Sequence, residues 1–287
     1  MAYLLAKRAL LFLCLSFSFF FSTQVLFGKI EKGSEERLGE YLRFIKNNEQ
    51  TLGPWGDHKK GEIEVCTRRE VIKEVEEIQR QRFMRKGLTR DQAYQSSRVG
   101  IIAEDIYWML IRDAVRFPSN FYGTYDRLLW KSSLDGPPGV AVLPIDEENN
   151  FYLNVNFRHA TRSWELEVPR GTRGEGESVE KAALRELKEE TGLGVDNMSF
   201  LGSMVPDSGS VNTIVPIFLG KVTFQGQQEQ EYSEAILKIL KLSKPQLDEA
   251  IKRGYIEVPV HQDVLKVYVR DSFITYSLYQ AQSRGLI

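Results

Sequence analysis

The chain has 287 residues, enough for one large domain or two modest ones, and its 42% hydrophobic and 27% charged residues are typical of a folded soluble protein. The formal net charge of −1 excludes a general attraction to nucleic acid polymers or to acidic partners, so any phosphate chemistry must come from a local site. The two cysteines, Cys14 and Cys66, cannot build a disulfide framework or a cysteine zinc site.

The N-terminus begins with a positively charged flank and an apolar run. Lys7 and Arg8 precede an uncharged stretch at residues 9–27, close to the roughly 20 residues that span a bilayer. A signal peptide has the same pattern. We therefore predict that residues 1–28 are a signal peptide or membrane anchor, with membrane attachment through residues 9–27. The protein is then membrane-anchored or exported, and the alternative is a non-targeting segment on a cytoplasmic protein.

Residues 29–130 are predicted to be mainly helical. "RLGEYLRFIKNN" has a short amphipathic pattern, and "TRREVIKEVEEIQRQRFMRKG" begins with capping-box spacing. Capping-box spacing recurs at Thr89 and Gln92, before "AYQSSRVGIIAEDIYWMLIRDAVRF", and Pro118 lies beyond the end of that segment. These two segments are predicted to form a helical hairpin, and only "EIEVC" is predicted to be a strand. We assign this region no function.

From Gly139 onward, strand and helix patterns alternate. "GVAVLPI", "NFYLNVNF" and "WELEVP" are strand-like, as are "FLGSMV", "TIVPIFLGKVTF" and "EAILKILKL" further on. Between the two groups a helix is predicted at residues 179–191. Helices are also predicted in "KPQLDEAIKRG" and in the closing segment "QDVLKVYVRDSFITYSLYQAQSRG". Residues 131–287 are therefore predicted to form an α/β sandwich domain.

The helix at residues 179–191 carries several carboxylates together. Glu186 and Glu190 lie one turn apart on one face, Glu189 is adjacent, and Arg185 has the spacing to pair with Glu189. Such a surface could be an ordinary solvated face. Alternatively it concentrates negative potential that a divalent cation offsets, and Mg²⁺ is usually held by one or two carboxylates together with substrate phosphates.

The flanks of this helix favour the metal site. Together, the helix and its flanks match the pattern G-x5-E-x7-R-E-U-x-E-E-x-G-U, where U is a bulky aliphatic residue. The matching residues are Gly171, Glu177, Arg185, Glu186, Leu187, Glu189, Glu190, Gly192 and Leu193. This segment resembles the signature of the Nudix hydrolase family. The resemblance implies a Nudix-type α/β/α sandwich with a mixed sheet, and Mg²⁺- or Mn²⁺-dependent hydrolysis of a nucleoside diphosphate linked to another moiety.

The resemblance also implies roles for individual residues. Glu186 and Glu190 should be metal ligands, and Glu189 should bind a further metal or help to activate water. Arg185 and Glu177 should orient the acidic cluster. The carbonyl of Arg170 is a further candidate metal ligand.

Residues just upstream narrow the resemblance to one subgroup. Trp164, Glu167, Pro169 and Gly171 are similar to the W-x-x-E-L-P-x-G motif of ADP-ribose and ADP-sugar pyrophosphatases, and Phe157–Arg158 is similar to its Y-R pair. By that resemblance Arg158 and Trp164 contact the substrate, and Glu167 binds base, ribose or metal. The alternatives are that Trp164 packs on the sheet and Arg158 pairs with an acid. Arg170 departs from the small residue usual there, which leaves the exact substrate open.

Two later segments complete the predicted site. By the same resemblance, Asp207, Ser208 and Gly209 occupy the place of a substrate-lining loop, with an ordinary turn as the alternative. The resemblance also implies a general base in a later acidic loop, where Glu234 is preferred over Glu229 and Glu231. The predicted products are AMP and a sugar phosphate, from ADP-ribose or an ADP-sugar. Alternative substrates are a dinucleoside polyphosphate, coenzyme A or an oxidised nucleoside triphosphate, and a non-catalytic nucleotide-binding module is a further alternative. Relatives of this type also suggest a homodimer.

Overall fold

A computed structural model describes residues 33–230 and 232–287. Residues 37–287 form one compact unit. Of the residues before this unit, 33–36 are described and include the start of a helix at Ser34. The predicted signal peptide or anchor at residues 1–28 lies outside the described residues.

The structure corrects our prediction of a membrane-anchored or exported protein. Among the helices at residues 33–230 and 232–287, none combines the length and the apolar composition that crossing a membrane requires. The longest of them, Arg69–Arg85, is rich in charged residues.

The first half of the compact unit combines helices with a four-stranded antiparallel sheet. Its helices are α1 (Ser34–Asn47), α2 (Glu49–Leu52), α3 (Arg69–Arg85) and α4 (Arg90–Ser97). Its strands are β1 (Glu64–Val65), β2 (Gly100–Glu104), β3 (Trp108–Arg116) and β4 (Tyr122–Trp130). Strand β3 pairs with each of the other three. Leu38, Tyr41 and Ile45 of α1 pack with Ile72 of α3 and Ile111 of β3 in a shared core.

The prediction of a mainly helical region is therefore wrong beyond residue 97. Thr89 and Gln92 do form the predicted capping box, but α4 ends at Ser97 and the next apolar residues form β2 and β3. Met109, Ile111 and Asp113 of β3 are buried at alternate positions, which is the strand period of two. Hence a hairpin of strands replaces the C-terminal part of the predicted second helix.

The second half contains a nine-stranded mixed sheet. Its strands are β5 (Gly139–Ile145), β6 (Phe151–Arg158), β7 (Ser163–Glu167), β8 (Arg170–Thr172), β9 (Leu193–Met204), β10 (Val215–Gln225), β11 (Ile236–Leu242), β12 (Tyr255–Val260) and β13 (Asp263–Tyr268). The main path runs β12-β13-β7-β6-β5-β10-β9, with β11 beside β6 and β8 beside β5. Strands β5 and β10 are parallel, whereas β6 and β7 are antiparallel.

Helices cover both faces of this sheet. They are α5 (Val179–Thr191), α6 (Lys244–Arg253) and α7 (Ser272–Ser283). Ala183 and Leu187 of α5 pack on Val142 of β5. On the other face Leu247 of α6 and Ile274 of α7 join the core that contains the alternate β5 residues Ala141, Leu143 and Ile145. The predicted α/β fold with a mixed sheet is confirmed. The predicted closing helix is corrected, because its first part pairs with β12 as strand β13 and only Ser272–Ser283 is helical.

Candidate active site

Helix α5 is positioned by residues at both of its ends. The side chain of Ser178 accepts a hydrogen bond from the Lys181 N–H at the N-terminus, and Gly192 ends the helix in the left-handed region at φ 70°. Ala182, Ala183 and Leu187 are buried against the sheet, so the helix cannot rotate without exposing them. Glu186 and Glu190 are therefore held on the neighbouring face, next to β8.

Three carboxylates converge at this face. One carboxylate oxygen from each of Glu186, Glu190 and Glu234 lies within 4.8 Å of the other two. Glu186 and Glu190 are buried, and Glu234 is half-buried. Glu234 comes from the segment between β10 and β11, so the structure brings a residue from a distant loop to the motif helix.

Glu190 is held by a side-chain and a backbone donor. Asn154 Nδ2 on β6 and the backbone N–H of Arg170 on β8 both donate to its Oε2, at 2.8 and 2.9 Å. Burial nevertheless raises the pKa of the Glu190 carboxyl to about 8, with the Arg170 N–H lowering the pKa and the nearby Glu234 and Glu186 carboxylates raising it. The two hydrogen bonds thus hold the Glu190 carboxylate in one orientation, at a buried position where its negative charge needs a counterion.

Glu186 lies directly beneath the backbone of Gly171. A Cβ at residue 171 would overlap the Glu186 carboxylate, so this close approach requires glycine. Burial raises the pKa of the Glu186 carboxyl to about 7, although Arg185 Nη1 donates to its Oε1 at 2.9 Å and lowers the pKa.

Arg185 links the cluster to the glycine-rich turn before the helix. It donates to Glu177 through Nε and Nη2 at 3.1 and 3.0 Å, and to Glu189 Oε2 at 2.8 Å. Its Nη2 also donates to the Thr172 carbonyl at 2.8 Å. The hydrogen bond from Arg185 lowers the pKa of the Glu177 carboxyl. Glu189 is therefore engaged by Arg185, beside the Glu186–Glu190–Glu234 group and outside it.

A second charged group surrounds Glu167, whose predicted role was to bind base, ribose or metal. Arg158 Nε donates to both of its oxygens at 2.9 Å, and Arg170 Nη2 donates to Oε1 at 2.8 Å. Arg170 Nη1 donates in turn to Asp271 Oδ1 at 3.3 Å. Glu167 is 3% exposed, and the two arginines neutralise its charge. Of these charged side chains, only the arginines reach solvent.

The remaining predicted substrate residues have other neighbours. Trp164 lies edge-on against Phe157, with ring centroids 5.3 Å apart. Gly209 donates its N–H to Asp207 Oδ1 at 2.9 Å, and its carbonyl accepts from Tyr125 Oη at 2.8 Å. The Asp207–Ser208–Gly209 loop is exposed and its contacts are with β4, not with the acidic cluster.

The sequence did not identify Asn154, Asn156 and Asp271 as site residues. Asn154 and Asn156 are buried on the same face of β6 as Arg158, and Asn156 Nδ2 donates to Glu167 Oε2 at 3.5 Å. Polar residues at every second position of an otherwise apolar strand were the available signal. Nothing in the local sequence linked Asp271 to the site, because it caps α7 and follows Arg170 by 101 residues in the chain.

Comparison with known proteins agrees with this geometry. The NUDIX domain model matches residues 136–256. The chain is 28% identical over 116 residues to the ADP-ribose pyrophosphatase of Bacillus subtilis (strain 168), covering 40% of this chain and 62% of that protein. It is 34% identical over 95 residues to the ADP compounds hydrolase NudE of Escherichia coli (strain K12), covering 32% of this chain and 50% of that protein.

These matches span between half and about three fifths of the relatives' own lengths. A crystal structure of an ADP compounds hydrolase is 18% identical, with a TM-score of 0.48, and covers 65% of this chain and 93% of that one. The motif helix and the three convergent carboxylates all lie within residues 136–256, the part of the chain that the NUDIX domain model matches.

Proposed function

We propose that the protein hydrolyses the pyrophosphate bond of ADP-ribose or a related ADP-sugar, in a reaction that depends on a divalent cation and gives AMP and a sugar phosphate. The observation that carries this proposal is the convergence of Glu186, Glu190 and Glu234 within 4.8 Å. The similarity to an ADP-ribose pyrophosphatase and to an ADP compounds hydrolase supports this choice of substrate class.

The residues present fit a hard divalent cation. All three converging side chains offer oxygen, the donor that Mg²⁺ and Mn²⁺ prefer. Asn154 Oδ1 is buried and has no hydrogen-bond partner among the described residues, so a further oxygen lies beside Glu190. Burial is the main reason that the pKa of the Glu186 and Glu190 carboxyls is raised, and repulsion from the neighbouring carboxylates adds to it.

We assign Glu186 and Glu190 as cation ligands, with the Arg170 carbonyl as a further candidate. When bound, the cation polarises the pyrophosphate and lowers the pKa of an attacking water. Glu234 faces the same point from a loop and accepts the proton of that water or serves as a third ligand. Arg185 holds Glu189 and Glu186 in place, and Arg158 offers a guanidinium to the diphosphate.

The test is a substrate panel with and without Mg²⁺. ADP-ribose, ADP-glucose, a diadenosine polyphosphate, coenzyme A and an oxidised nucleoside triphosphate are each incubated with the protein, and AMP and other products are separated by chromatography. We expect AMP from ADP-ribose or ADP-glucose with Mg²⁺ and none in EDTA. Preferred cleavage of another substrate replaces the proposed one, and tight binding with no product supports a non-catalytic module.

A matched pair of variants separates this site from a contaminating activity. Glu190→Gln keeps the side-chain shape and the hydrogen bonds but removes the charge, and should lower kcat/KM by roughly a hundredfold or more. Glu180→Gln makes the same chemical change on an exposed position of α5 and should leave kcat/KM within about twofold. Equal activity of the two variants would remove Glu190 from the site.

A further inference from the structure

The C-terminal segment that follows β13 lies outside the NUDIX match at residues 136–256 and still contacts the site. Its residue Asp271 is buried, with a side chain that is 5% exposed. Asp271 Oδ1 accepts the Phe273 N–H at 3.1 Å, which caps α7, and also accepts Arg170 Nη1 at 3.3 Å. A helix cap alone does not require a partner arginine from β8, so this carboxylate has a second role.

The guanidinium of Arg170 is fixed on three sides. Nη1 reaches Asp271, Nη2 reaches Glu167, and the guanidinium carbon lies 4.6 Å from the centre of the Phe273 ring. A planar guanidinium held at both nitrogens and stacked on an aromatic face has little freedom left. Its side chain is still 25% exposed, so a ligand can reach it.

Arg170 is also tied to the acidic cluster through its backbone. Its N–H donates to Glu190 Oε2, while its side chain extends to the carboxylate that it shares with Arg158. The two guanidinium groups therefore converge on Glu167, and Arg170 belongs to both charged groups. A diphosphate held by the acidic cluster through a cation carries negative charge that fixed guanidinium groups stabilise.

We propose that Asp271, with Phe273, is a positioning residue that orients the Arg170 guanidinium to bind the diphosphate of the substrate. This proposal rests on the proposed function. The last helix, α7, would then contribute to substrate affinity through its cap residue Asp271 and through Phe273. Asp271 need not touch the substrate, because it acts through Arg170.

The decisive experiment is a double-mutant cycle on KM. Asp271→Asn keeps an acceptor for the Phe273 N–H but removes the charge that holds Arg170. We expect KM for ADP-ribose to rise roughly tenfold while kcat stays within about twofold, the pattern of lost uniform binding. Arg170→Ala should raise KM at least as much, and adding Asp271→Asn to it should change KM no further. Calorimetric Kd values for an ADP-ribose analogue with a methylene bridge should change in parallel.

Thr89→Ala is the matched control for the loss of a helix cap. Thr89 caps α4, its hydroxyl accepts the Gln92 N–H at 3.3 Å, and it has no contact with the site residues. Its removal should lower the melting temperature without changing KM. If Asp271→Asn does not fold, Phe273→Leu keeps the apolar packing and the cap, and should raise KM by about threefold through loss of the stacked ring.

Three results would overturn the proposal in an active wild-type protein. They are an unchanged KM in the variants, a further rise in KM when Asp271→Asn is added to Arg170→Ala, and a fall in kcat alone with a higher Mg²⁺ requirement. The last would mean that Asp271 supports Glu190 instead. If the wild-type protein cleaves another substrate of the panel, the cycle is run on that substrate. A wild-type protein that cleaves none refutes both proposals.

Discussion

At the residue scale, Glu186 and Glu190 explain why the chain keeps carboxylates together despite their repulsion. An exposed carboxylate on α5 would interact with solvent, but Asn154 and the Arg170 N–H hold Glu190 in place beneath the strands. The helix itself needs neither charge, because Leu187 and Ala183 supply its packing. The close carboxylates therefore raise the free energy of the metal-free folded state, and a bound cation would lower it.

This destabilisation by the acidic cluster predicts an unusual dependence of folding stability on pH in the absence of metal. The folded-state pKa of the Glu190 and Glu186 carboxyls is raised to about 8 and about 7, above the ordinary 4.5 of an unfolded chain. Between these values the unfolded state binds fewer protons than the folded state, so stability falls as pH rises. In EDTA we expect the urea midpoint to be lower at pH 8 than at pH 5.

The variant Glu190→Gln tests the origin of that decrease. Its side chain stays neutral, so its urea midpoint should fall less between pH 5 and pH 8 than that of the wild type. Mg²⁺ should restore more stability at pH 8 to the wild type than to the variant. Identical pH profiles for the two proteins would show that Glu190 is not the source.

Gly171 gives a steric prediction. Its φ is not in the left-handed region, so alanine suits the backbone, but the added Cβ would overlap the Glu186 carboxylate. Gly171→Ala should therefore displace Glu186 and lower kcat/KM by roughly a hundredfold, with little loss of melting temperature. The control is Gly194→Ala, where the Cβ meets only Phe224 at 3.4 Å. Full activity in Gly171→Ala would mean that Glu186 need not occupy its observed position.

At the element scale, the end of α5 determines where the loop that carries Glu234 lies. Gly226 donates its N–H to the Gly192 carbonyl at 2.8 Å, and Glu229 donates its N–H to the Glu189 carbonyl at 3.0 Å. Lys188 and Glu229 add an exposed ion pair at 3.0 Å. The loop after β10 is thus bonded along the last turn of the helix, which brings Glu234 to the cluster.

Two helix-ending glycines allow this contact to be measured. Gly192 and Gly254 end α5 and α6 with φ of 70° and 75°. A Cβ at residue 254 meets nothing within 4 Å, whereas one at residue 192 would lie 2.6 Å from the Gly226 carbonyl oxygen. Gly254→Ala should cost about 1 kcal/mol for the backbone alone, and Gly192→Ala at least about 2 kcal/mol. Urea denaturation measures both, and equal costs would rule out the close approach.

Elements with a strong local signal could be predicted from the sequence, and those that depend on pairing could not. The bounds of α5 follow from Ser178, from the stripe of Ala183 and Leu187, and from Gly192. In contrast, the β-branched content of "DVLKVY" left its assignment ambiguous between helix and strand, and it becomes β13 because β12 and β7 lie beside it. The same ambiguity led to the incorrect helix at β2 and β3.

At the scale of the whole molecule, the site is assembled from parts that local patterns cannot relate. The spacing on α5 predicts Glu186 and Glu190 as neighbours, and Glu234 is predicted among several loop acids; the structure brings the three carboxylates close together. Nothing in the local sequence brings Asp271 to Arg170, because that contact depends on where α7 packs. The contact between β4 and the loop that carries Asp207, made through Gly209, likewise has no signal in the local sequence. Long-range packing, not residue chemistry, sets this limit.

The bonds between β4 and that loop also join the two sheets of residues 37–287. Leu128 donates its N–H to the Ser210 carbonyl at 2.8 Å and accepts the Asn212 N–H at 3.1 Å. Strands and loops from both halves are therefore connected by backbone hydrogen bonds. We expect the two halves to unfold together.

A buried polar network in the first half provides the test of that cooperativity. Asp113 is 1% exposed, accepts Tyr41 Oη and Arg127 Nε at 2.6 Å each, and contacts no residue of the acidic cluster. Asp113→Ala leaves a tyrosine hydroxyl and a guanidinium without their buried acceptor, at a cost of about 3 kcal/mol, or roughly 10 °C in melting temperature. Asp126→Ala, which removes the exposed partner of Arg112, should shift the melting temperature by less than about 3 °C.

Calorimetry of Asp113→Ala should show a single, shifted transition. Its kcat/KM at 20 °C should be unchanged. A second transition that stays at the wild-type temperature would mean that the NUDIX domain folds independently of the sheet before it.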